Sequence, residues 1–460
     1  MSSPVAAIAY ARQHRERFQE ELKALLRIPS VSTSPERSAE MMEAAEWVAE
    51  QLRELSFERV QVLPTARHPV VYGENLRAGA DAPTVLFYGH YDVQPAEPLE
   101  LWTSGPFDPA VRGENLYARG ASDMKGQVVA FLKAVESWIK SAGRLPLNLK
   151  CMIEGEEEIG STSLPEFMRA NRKLLACDYC LNGDGGILAP DAPAITYALR
   201  GLAYFEIRLQ GPSQDLHSGL FGGAVENPAN VLARLIAGMH DEHGRITLPG
   251  FYERVRPLAP DERAALARLP QPDAWWIAKT GAPALGGEAG YTAIERASAR
   301  PTLDVNGLSS GFTGAGSKTV LPSKAMAKIS LRLVPDQEFK MVRASMEAYL
   351  KQQVPPTVSW ELLELAGSNA PMIERDSKAV RAARRALEAV WEKEPLFTRC
   401  GGTVPVVSQI KELLGVDSLL LGFELPDDNL HAPNEKIHLP TYERGVETYI
   451  YFLHYASISE

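Results

Sequence analysis

The stretch Thr84-Val-Leu-Phe-Tyr-Gly-His90-Tyr-Asp92 decides how this 460-residue chain folds. Residues 85–88 are an apolar run without polar alternation, which is typical of a strand buried on both faces of a parallel sheet. His90 and Asp92 follow directly and lie two residues apart, so an extended backbone directs both side chains to the same side. The sequence therefore predicts a buried strand that ends in two polar side chains.

Asp123 is the next polar residue in a notable position, at the entrance of a predicted amphipathic helix. The helix is indicated by apolar residues at helical spacing, namely Val128, Val129, Leu132, Val135, Trp138 and Ile139. Ligand crevices of open α/β sheets lie outside the carboxyl ends of the strands. Asp123 alone could equally be a helix N-cap, so its interpretation depends on the rest of the chain.

The order of predicted elements indicates an α/β protein with a second domain inserted into the first. Over residues 1–195 and 367–460, helical patterns, beginning with residues 6–26, alternate with short apolar strands. This predicts a mostly parallel sheet flanked by helices. Residues 197–210 and 325–333 instead alternate apolar and polar side chains, which predicts an antiparallel sheet with one wet face. We therefore expect an inserted α+β domain at residues 196–366.

The composition is that of a soluble globular protein, for which a cytosolic enzyme is the ordinary expectation. The net charge is -10 and no basic stripe is present, so nucleic acid is not an expected partner. No apolar run approaches the roughly 20 residues of a membrane span, and the N-terminus lacks an apolar signal core. Four cysteines in so long a chain do not form a disulfide framework. We expect a cytoplasmic protein without a membrane partner.

Polar residues that follow the predicted strands form a set with metal-ligand chemistry. They are His90, Asp92, Glu156, Glu157, Glu158, Asp184 and His431, with Asp123 at its helix entrance. Converging carboxylates repel one another unless cations lie among them, and imidazole with carboxylate suits zinc, manganese or cobalt. Five or six ligands suit two ions that share a carboxylate, as in aminopeptidases and phosphatases. An acidic cleft around a solvated cation would leave the two histidines unexplained.

Two glycine-rich motifs suggest other chemistry but lack the context they need. Gly307-Leu-Ser309-Ser-Gly311 fits a serine-hydrolase elbow, which requires a helix after the serine, and the following glycine-rich segment cannot form one. The segment 311–319 resembles a phosphate-binding loop but has Ser317 where the lysine belongs. We interpret both as chance matches.

The chain resembles the M20 metallopeptidases, and within them the carnosinase-like and cytosolic nonspecific dipeptidases. The resemblance is carried in order by Gly89-His90-Tyr-Asp92-Val-Gln94, Gly120-Ala-Ser-Asp123-Met-Lys-Gly126, Glu154-Gly-Glu-Glu-Glu-Ile-Gly-Ser161, Asp215-Leu-His217-Ser-Gly219, Gly314-Ala-Gly-Ser-Lys-Thr-Val-Leu-Pro322 and His431-Ala-Pro-Asn-Glu-Lys436. The inserted domain resembles the lid and dimerisation domain of that family.

The resemblance implies two divalent ions per subunit, with zinc favoured and manganese or cobalt as alternatives. His90 and Asp184 would bind one ion. Glu158 and His431 would bind the other, and Asp123 would bridge the two.

The resemblance also implies two catalytic residues. Asp92 would orient His90 through its second ring nitrogen, and Glu157 would be the general base. The family's pair of glutamates is followed by one residue and then Gly-Ser. This spacing assigns the base to Glu157 and leaves Glu156 without a role.

The resemblance implies a small peptide substrate. Arg332 would bind its carboxylate, with hydrogen bonds from Thr313 and Thr403. His217 would reach the active site of the other subunit of a homodimer and contact the scissile carbonyl.

We therefore predict a two-metal dipeptidase. One alternative is a related M20 deacylase that uses the same ions on N-acyl amino acids. Another is a metal-binding protein without activity, which an intact Glu157 disfavours.

Overall fold

The computed structural model describes residues 3–458, which divide into two compact units. Within the described residues, the first unit comprises residues 3–197, 373–398 and 409–458, and the second comprises residues 198–372 and 399–408.

The helices, in chain order, are α1 Pro4–Gln13, α2 Arg15–Leu26, α3 Ser38–Glu54, α4 Lys125–Ala142, α5 Leu164–Ala170, α6 Ser218–Phe221, α7 Pro228–Gly238, α8 Pro260–Ala267, α9 Asp273–Thr280, α10 Ala293–Ser298, α11 Phe339–Gln353, α12 Lys378–Trp391, α13 Pro405–Leu414 and α14 Leu439–Ala456. The strands are β1 Arg59–Leu63, β2 Val70–Asn75, β3 Thr84–His90, β4 Ala110–Arg112, β5 Asn115–Tyr117, β6 Asn148–Glu154, β7 Tyr179–Asn182, β8 Ala194–Leu199, β9 Gly201–Gln210, β10 Leu216–His217, β11 Thr302–Ser310, β12 Val320–Leu321, β13 Lys324–Leu333, β14 Ser359–Ser368, β15 Leu396–Cys400, β16 Ser418–Leu420 and β17 Lys436–His438. Short 3-10 turns lie at Pro35–Arg37, Leu99–Leu101 and Glu157–Ile159.

An eight-stranded sheet with the order β1-β2-β6-β3-β7-β16-β8-β15 organises the first unit. Its centre is parallel, because β3 pairs with β6 and β7, and β7 pairs with β16 in the same direction. The strands β1, β2 and β8 pair antiparallel to their neighbours. Every residue of β3 after Thr84 is buried, as its unbroken apolar run predicts. The predicted α/β class is confirmed, with the parallel pairs at the centre of a mixed sheet.

The helix α4 is the most buried helix of the first unit, and it packs with α1 and α14. The indole of Trp138 donates to the Ile450 carbonyl at 3.0 Å. The first turn of α4 requires a glycine at position 126, because a Cβ there would lie 2.1 Å from the Ala121 carbonyl oxygen. The chain therefore enters α4 in close contact with the loop that carries Asp123.

The N-terminal helical pattern predicted as residues 6–26 is two helices, so that expectation was wrong at His14. The His14 Nδ1 lies 2.8 Å from the Tyr10 carbonyl oxygen and donates to it. The His14 backbone itself leaves helical geometry, with a φ of -108° and a ψ of 11°. The helix ends at Gln13 and a new one begins at Arg15.

The second unit contains an antiparallel sheet with the order β11-β13-β9-β14. Alternate residues of β13 are buried, which leaves one face of the sheet packed on its own core and the other more accessible. The helices α7 and α11 pack against the sheet. The antiparallel sheet with one wet face is confirmed.

Residues 399–408 also belong to the second unit, outside the predicted segment 196–366. Long-range contacts hold them there, because the Arg399 guanidinium donates to Glu262 at 2.8 Å and the Thr403 hydroxyl donates to the Arg200 carbonyl at 2.7 Å. Such contacts leave no periodic signal in the sequence.

The serine of the elbow-like motif, Ser309, lies within β11, and a loop follows it. It therefore has no elbow geometry. No helix within residues 3–458 has the length and apolar character needed to cross a membrane.

Candidate metal centre

The strands of the parallel centre end at the same edge of the sheet. His90 ends β3 and stands in register with Glu154, the last residue of β6. The next strand, β7, ends at Asn182, two residues before Asp184. The polar residues that follow these strands are therefore brought together along one edge, as expected for a ligand site of an α/β sheet.

Two groups of possible metal ligands lie at this edge. The ligand atoms of His90, Asp123 and Asp184 all lie within 4.8 Å of one another, and the same holds for Asp123, Glu158 and His431. Asp123 is common to both groups. These are the five residues that the resemblance implies as ligands, in the same two sets.

The two carboxylate oxygens of Asp123 face different histidines. Oδ1 lies 3.1 Å from His90 Nε2, and Oδ2 lies 2.9 Å from His431 Nε2. Although burial opposes it, hydrogen bonding to His431 and His90 holds the pKa of Asp123 below its ordinary value. Atoms about 3 Å apart can bind one ion at the roughly 2.1 Å typical of zinc ligands. The donor set therefore fits a carboxylate shared by two ions.

The Asp92 side chain performs a second task that its spacing from His90 did not indicate. Its two oxygens accept hydrogen bonds from the backbone N–H groups of Glu157 at 3.2 Å and Glu158 at 3.1 Å. The Nδ1 of His90 lies 3.0 Å from the Asp92 backbone carbonyl and 3.4 Å from its carboxylate. Asp92 thus orients His90 mainly through its backbone, and its carboxylate fixes the turn that carries both glutamates.

The three consecutive glutamates have different surroundings. Glu156 is buried, and its carboxylate accepts hydrogen bonds from the hydroxyls of Thr65 and Thr162 and from the backbone N–H groups of His68 and Ser163. Glu158 accepts a hydrogen bond from the Gln94 side chain at 2.7 Å and lies 3.2 Å from His431 Nε2. The Glu156 carboxylate is therefore bound by protein donors that do not belong to the two groups of candidate ligands.

Glu157 has a strongly perturbed carboxyl group. Burial raises its pKa well above the ordinary value. His90 opposes the shift, and the carboxylates of Asp184, Glu158 and Asp123 add to it. A carboxyl group whose proton affinity is raised in this way is typical of general acids and bases.

Asp184 and His431 are perturbed by the same concentration of charge. Burial, together with Asp123, raises the pKa of Asp184 to about 7. Hydrogen bonds to Asp123 and Glu158 raise the pKa of His431 to about 10. His431 is 53% exposed and has a φ of 58°, in the left-handed region that non-glycine residues rarely adopt.

Glu435 is a buried residue that joins two ligand-bearing loops, and its role was missed from the sequence. Its carboxylate accepts hydrogen bonds from the backbone N–H groups of Gly120, Ser122 and Asp123 at 2.9 to 3.1 Å. It also pairs with the Arg119 guanidinium at 2.8 Å, and both side chains are 1% exposed. Glu435 is part of the sequence motif that begins at His431, but its partners become visible only in the folded chain.

Asp428 and Glu424 are further carboxylates near the centre that the sequence did not identify. Asp428 accepts hydrogen bonds from the Ser122 hydroxyl at 2.7 Å and from Lys436 Nζ at 2.9 Å. Burial and the carboxylates of Asp184 and Asp123 raise the pKa of Glu424 well above its ordinary value. The Oε1 of Glu424 is buried without a hydrogen-bond partner among the described residues.

The remaining residues of the predicted site belong to the second unit. Arg332 lies on β13, and its Nη1 donates to the Thr403 hydroxyl at 2.8 Å, so these two side chains are brought together. His217 is exposed on β10, and its Nδ1 accepts a hydrogen bond from the Gly219 N–H at 3.0 Å. Thr313 is exposed in the loop between β11 and β12.

Comparison with known proteins agrees with the candidate metal ligands, because the matched proteins are metallopeptidases. The family model of peptidase family M20/M25/M40 matches residues 86–455. The chain is 33% identical to the Cys-Gly metallodipeptidase DUG1 of Candida albicans, an alignment that covers 96% of this chain and 95% of that protein.

Solved structures also match over nearly the whole length. An M20 family metallo-carboxypeptidase from Sulfolobus solfataricus is 31% identical with a TM-score of 0.81, over 96% of this chain and 99% of that one. Human carnosine dipeptidase 1 is 28% identical with a TM-score of 0.75, over 99% of both chains.

Proposed function

The chain belongs to peptidase family M20/M25/M40 as a metallodipeptidase, and on this premise we propose that it cleaves dipeptides with two divalent ions and Glu157 as the base. The observation that carries the proposal is the Asp123 carboxylate, whose two oxygens face the histidines of two separate ligand groups. Family members use divalent metals, and the chain holds two candidate ligand groups.

His90 and Asp184 would hold one ion, Glu158 and His431 the other, and Asp123 would contact both. Zinc is the favoured ion, with manganese or cobalt as alternatives, because the groups offer imidazole and carboxylate without thiolate. Bound ions would polarise the scissile carbonyl and lower the pKa of an attacking water.

Glu157 would take a proton from the attacking water and return it to the leaving amine. Its raised pKa supports this role, since the group must hold the proton between the two steps. Glu156 is a weaker candidate because several protein donors already occupy its carboxylate. Asp92 would keep His90 and Glu157 in position, through its carbonyl and its carboxylate respectively.

Arg332 would bind the carboxylate end of the substrate, for which a planar guanidinium is well suited. The hydrogen bond from Arg332 to Thr403 supports a role in one subsite, and Thr313 would add a further hydrogen bond. The substrate would be a small peptide with a free C-terminus.

The second unit would serve as lid and dimerisation domain of a homodimer, in which His217 contacts the scissile carbonyl of the substrate bound by the other subunit. The exposure of His217 and of the nearby Leu220 and Phe221 supports this proposal. A cytoplasmic location stays a prediction from the sequence.

Two other activities use the same centre. A deacylase would release an acyl group from an N-acyl amino acid. A carboxypeptidase would accept longer peptides. The similarity to the Sulfolobus metallo-carboxypeptidase supports this second candidate activity.

A metal-supplemented screen of dipeptides, tripeptides and N-acetyl amino acids tests the proposal. We expect dipeptides to be cleaved fastest with zinc, manganese or cobalt present. Preference for N-acetyl amino acids would instead support the deacylase, equal turnover of tripeptides would support the carboxypeptidase, and inertness towards all three would contradict an enzymatic role.

A further inference from the structure

Arg200 and Arg332 contribute two guanidinium groups to the same part of the second unit. Burial and the charge of Arg332 lower the pKa of Arg200 to about 10, against smaller opposing effects of Cys400 and Asp304. Among residues 3–458, no ion pair is described for Arg200 or Arg332. Like charges that are partly removed from water repel each other unless an anion joins them. The closeness of these two positive charges therefore suggests that an anion binds between them in the working protein.

The loop 400–403 connects the two arginines. Arg200 Nε donates to the Gly401 carbonyl at 2.9 Å, and the Arg200 backbone N–H lies 3.2 Å from the carbonyl oxygens of Cys400 and Gly402. The Thr403 hydroxyl donates to the Arg200 carbonyl at 2.7 Å and accepts from Arg332 Nη1 at 2.8 Å. One hydroxyl thus joins the backbone of one arginine to the guanidinium of the other.

Both guanidiniums keep donors available for a ligand. In the described chain, a single nitrogen of each bonds to protein, namely Nε of Arg200 and Nη1 of Arg332. Their other nitrogens have no protein partner among the described residues and are not fully buried. These nitrogens therefore remain accessible to solvent and to a ligand. The Thr403 hydroxyl is already used in both directions and cannot neutralise either charge.

We propose that Arg200 is a second cation of the carboxylate subsite, so that the C-terminal carboxylate of the substrate is bound by two guanidiniums rather than by Arg332 alone. This inference rests on the proposed function, in which Arg332 binds that carboxylate. It makes a free C-terminal carboxylate a requirement of the substrate, because an uncharged end would leave both cations without an anion.

A purely structural role for Arg200 is the competing explanation, since its Nε holds the Gly401 carbonyl. Two substitutions separate the roles. R200K keeps the positive charge and loses the Nε hydrogen bond, whereas R200Q removes the charge. The readout is kcat/KM for an apolar dipeptide relative to its C-terminal amide, measured with the metal-loaded protein.

We expect R200Q to lower the preference for the free acid about 10-fold to 100-fold, as for lost hydrogen bonds to a charged group. R200K should retain most of the preference. R332Q should also reduce it, and R208Q is the matched control. Arg208 lies on the neighbouring strand β9, 54% exposed and paired with Glu206, and its loss should leave the preference unchanged.

An equal loss for acid and amide in both R200K and R200Q would overturn the inference and leave Arg200 as a support of the loop. If R332Q removes the preference while R200Q does not, the proposed function stands and this inference falls. If neither variant changes it, both assignments fall. If the wild type cleaves no dipeptide, the proposed function fails. Calorimetric binding of the acid and the amide to the same variants then tests Arg200: the inference stands if R200Q weakens binding of the acid more than binding of the amide, and it falls if both are weakened equally.

Discussion

Asp123 is the residue on which both candidate ligand groups depend, because its oxygens lie 3.1 and 2.9 Å from the two histidines. Its backbone N–H is held by Glu435, and its neighbour Ser122 is held by Asp428. At the scale of single residues, the position of Asp123 is thus fixed by the buried carboxylates of Glu435 and Asp428, which are not themselves candidate ligands.

The first prediction at this scale concerns the base. Glu157→Gln keeps the size of the side chain but cannot accept the proton, so turnover of dipeptides should fall by about 10²–10⁴ while metal binding survives. Glu156→Gln is the matched control, and it should lower thermal stability with a smaller effect on turnover, because it disturbs hydrogen bonds to His68 and Ser163. The reverse result would place the base at position 156.

The second prediction concerns Glu154, which is buried and accepts hydrogen bonds from Tyr88 and Ser161. Burial raises the pKa of Glu154 from the ordinary 4.5 to about 8, against the hydrogen bond from Tyr88. The folded chain therefore keeps this proton to higher pH than the unfolded chain does. The stability it contributes is fully present below pH 4.5 and is lost as the pH rises through 8.

Glu154→Gln is neutral at every pH, so its melting temperature relative to the wild type should increase between pH 5 and pH 9. Thermal unfolding of the chelator-treated protein measures this, with the exposed Glu100→Gln as control. A difference between variant and wild type that does not change with pH would contradict the assignment.

At the scale of elements, the loop before α4 and the loop that carries His431 are held as one unit by the buried pair of Arg119 and Glu435. Glu435→Gln removes one of the two oxygens that accept from the backbone of residues 120–123 and leaves a buried guanidinium without its charged partner. We expect metal affinity to fall about 10-fold to 100-fold, as for other groups that position ligands.

The measurement is competition with a chelator, well below the melting temperature of the variant. Asp427→Asn is the control, because Asp427 is exposed on the same loop. Unchanged metal affinity in a less stable Glu435→Gln protein would show that Glu435 supports the fold without positioning the ligands.

The same elements show what the sequence could predict. Residues 84–92 indicated a buried strand with polar residues at its end, because strand burial and side-chain direction are local properties. The five ligand candidates could be assigned through the resemblance. The partners of Glu435, the second task of Asp92 and the membership of residues 399–408 in the second unit could not, since each depends on residues far apart in the chain.

At the scale of the whole molecule, the proposed homodimer makes each site depend on His217 of the partner subunit. His217→Ala and Glu157→Gln homodimers should each be nearly inactive. A mixture with subunit exchange should recover up to about a quarter of wild-type activity, if half the dimers are mixed and each has one intact site. A mixture that stays inactive despite demonstrated exchange would place His217 in its own subunit's site or outside the reaction.

The most direct test of the two-ion centre is a titration of the chelated protein with zinc, in which bound ions per chain and dipeptide hydrolysis are measured on the same samples. We predict that activity rises as a second ion per chain binds, and that Asp123→Ala loses both ions together with activity. Full activity with one ion per chain, or an Asp123→Ala protein that keeps both ions, would contradict the shared carboxylate.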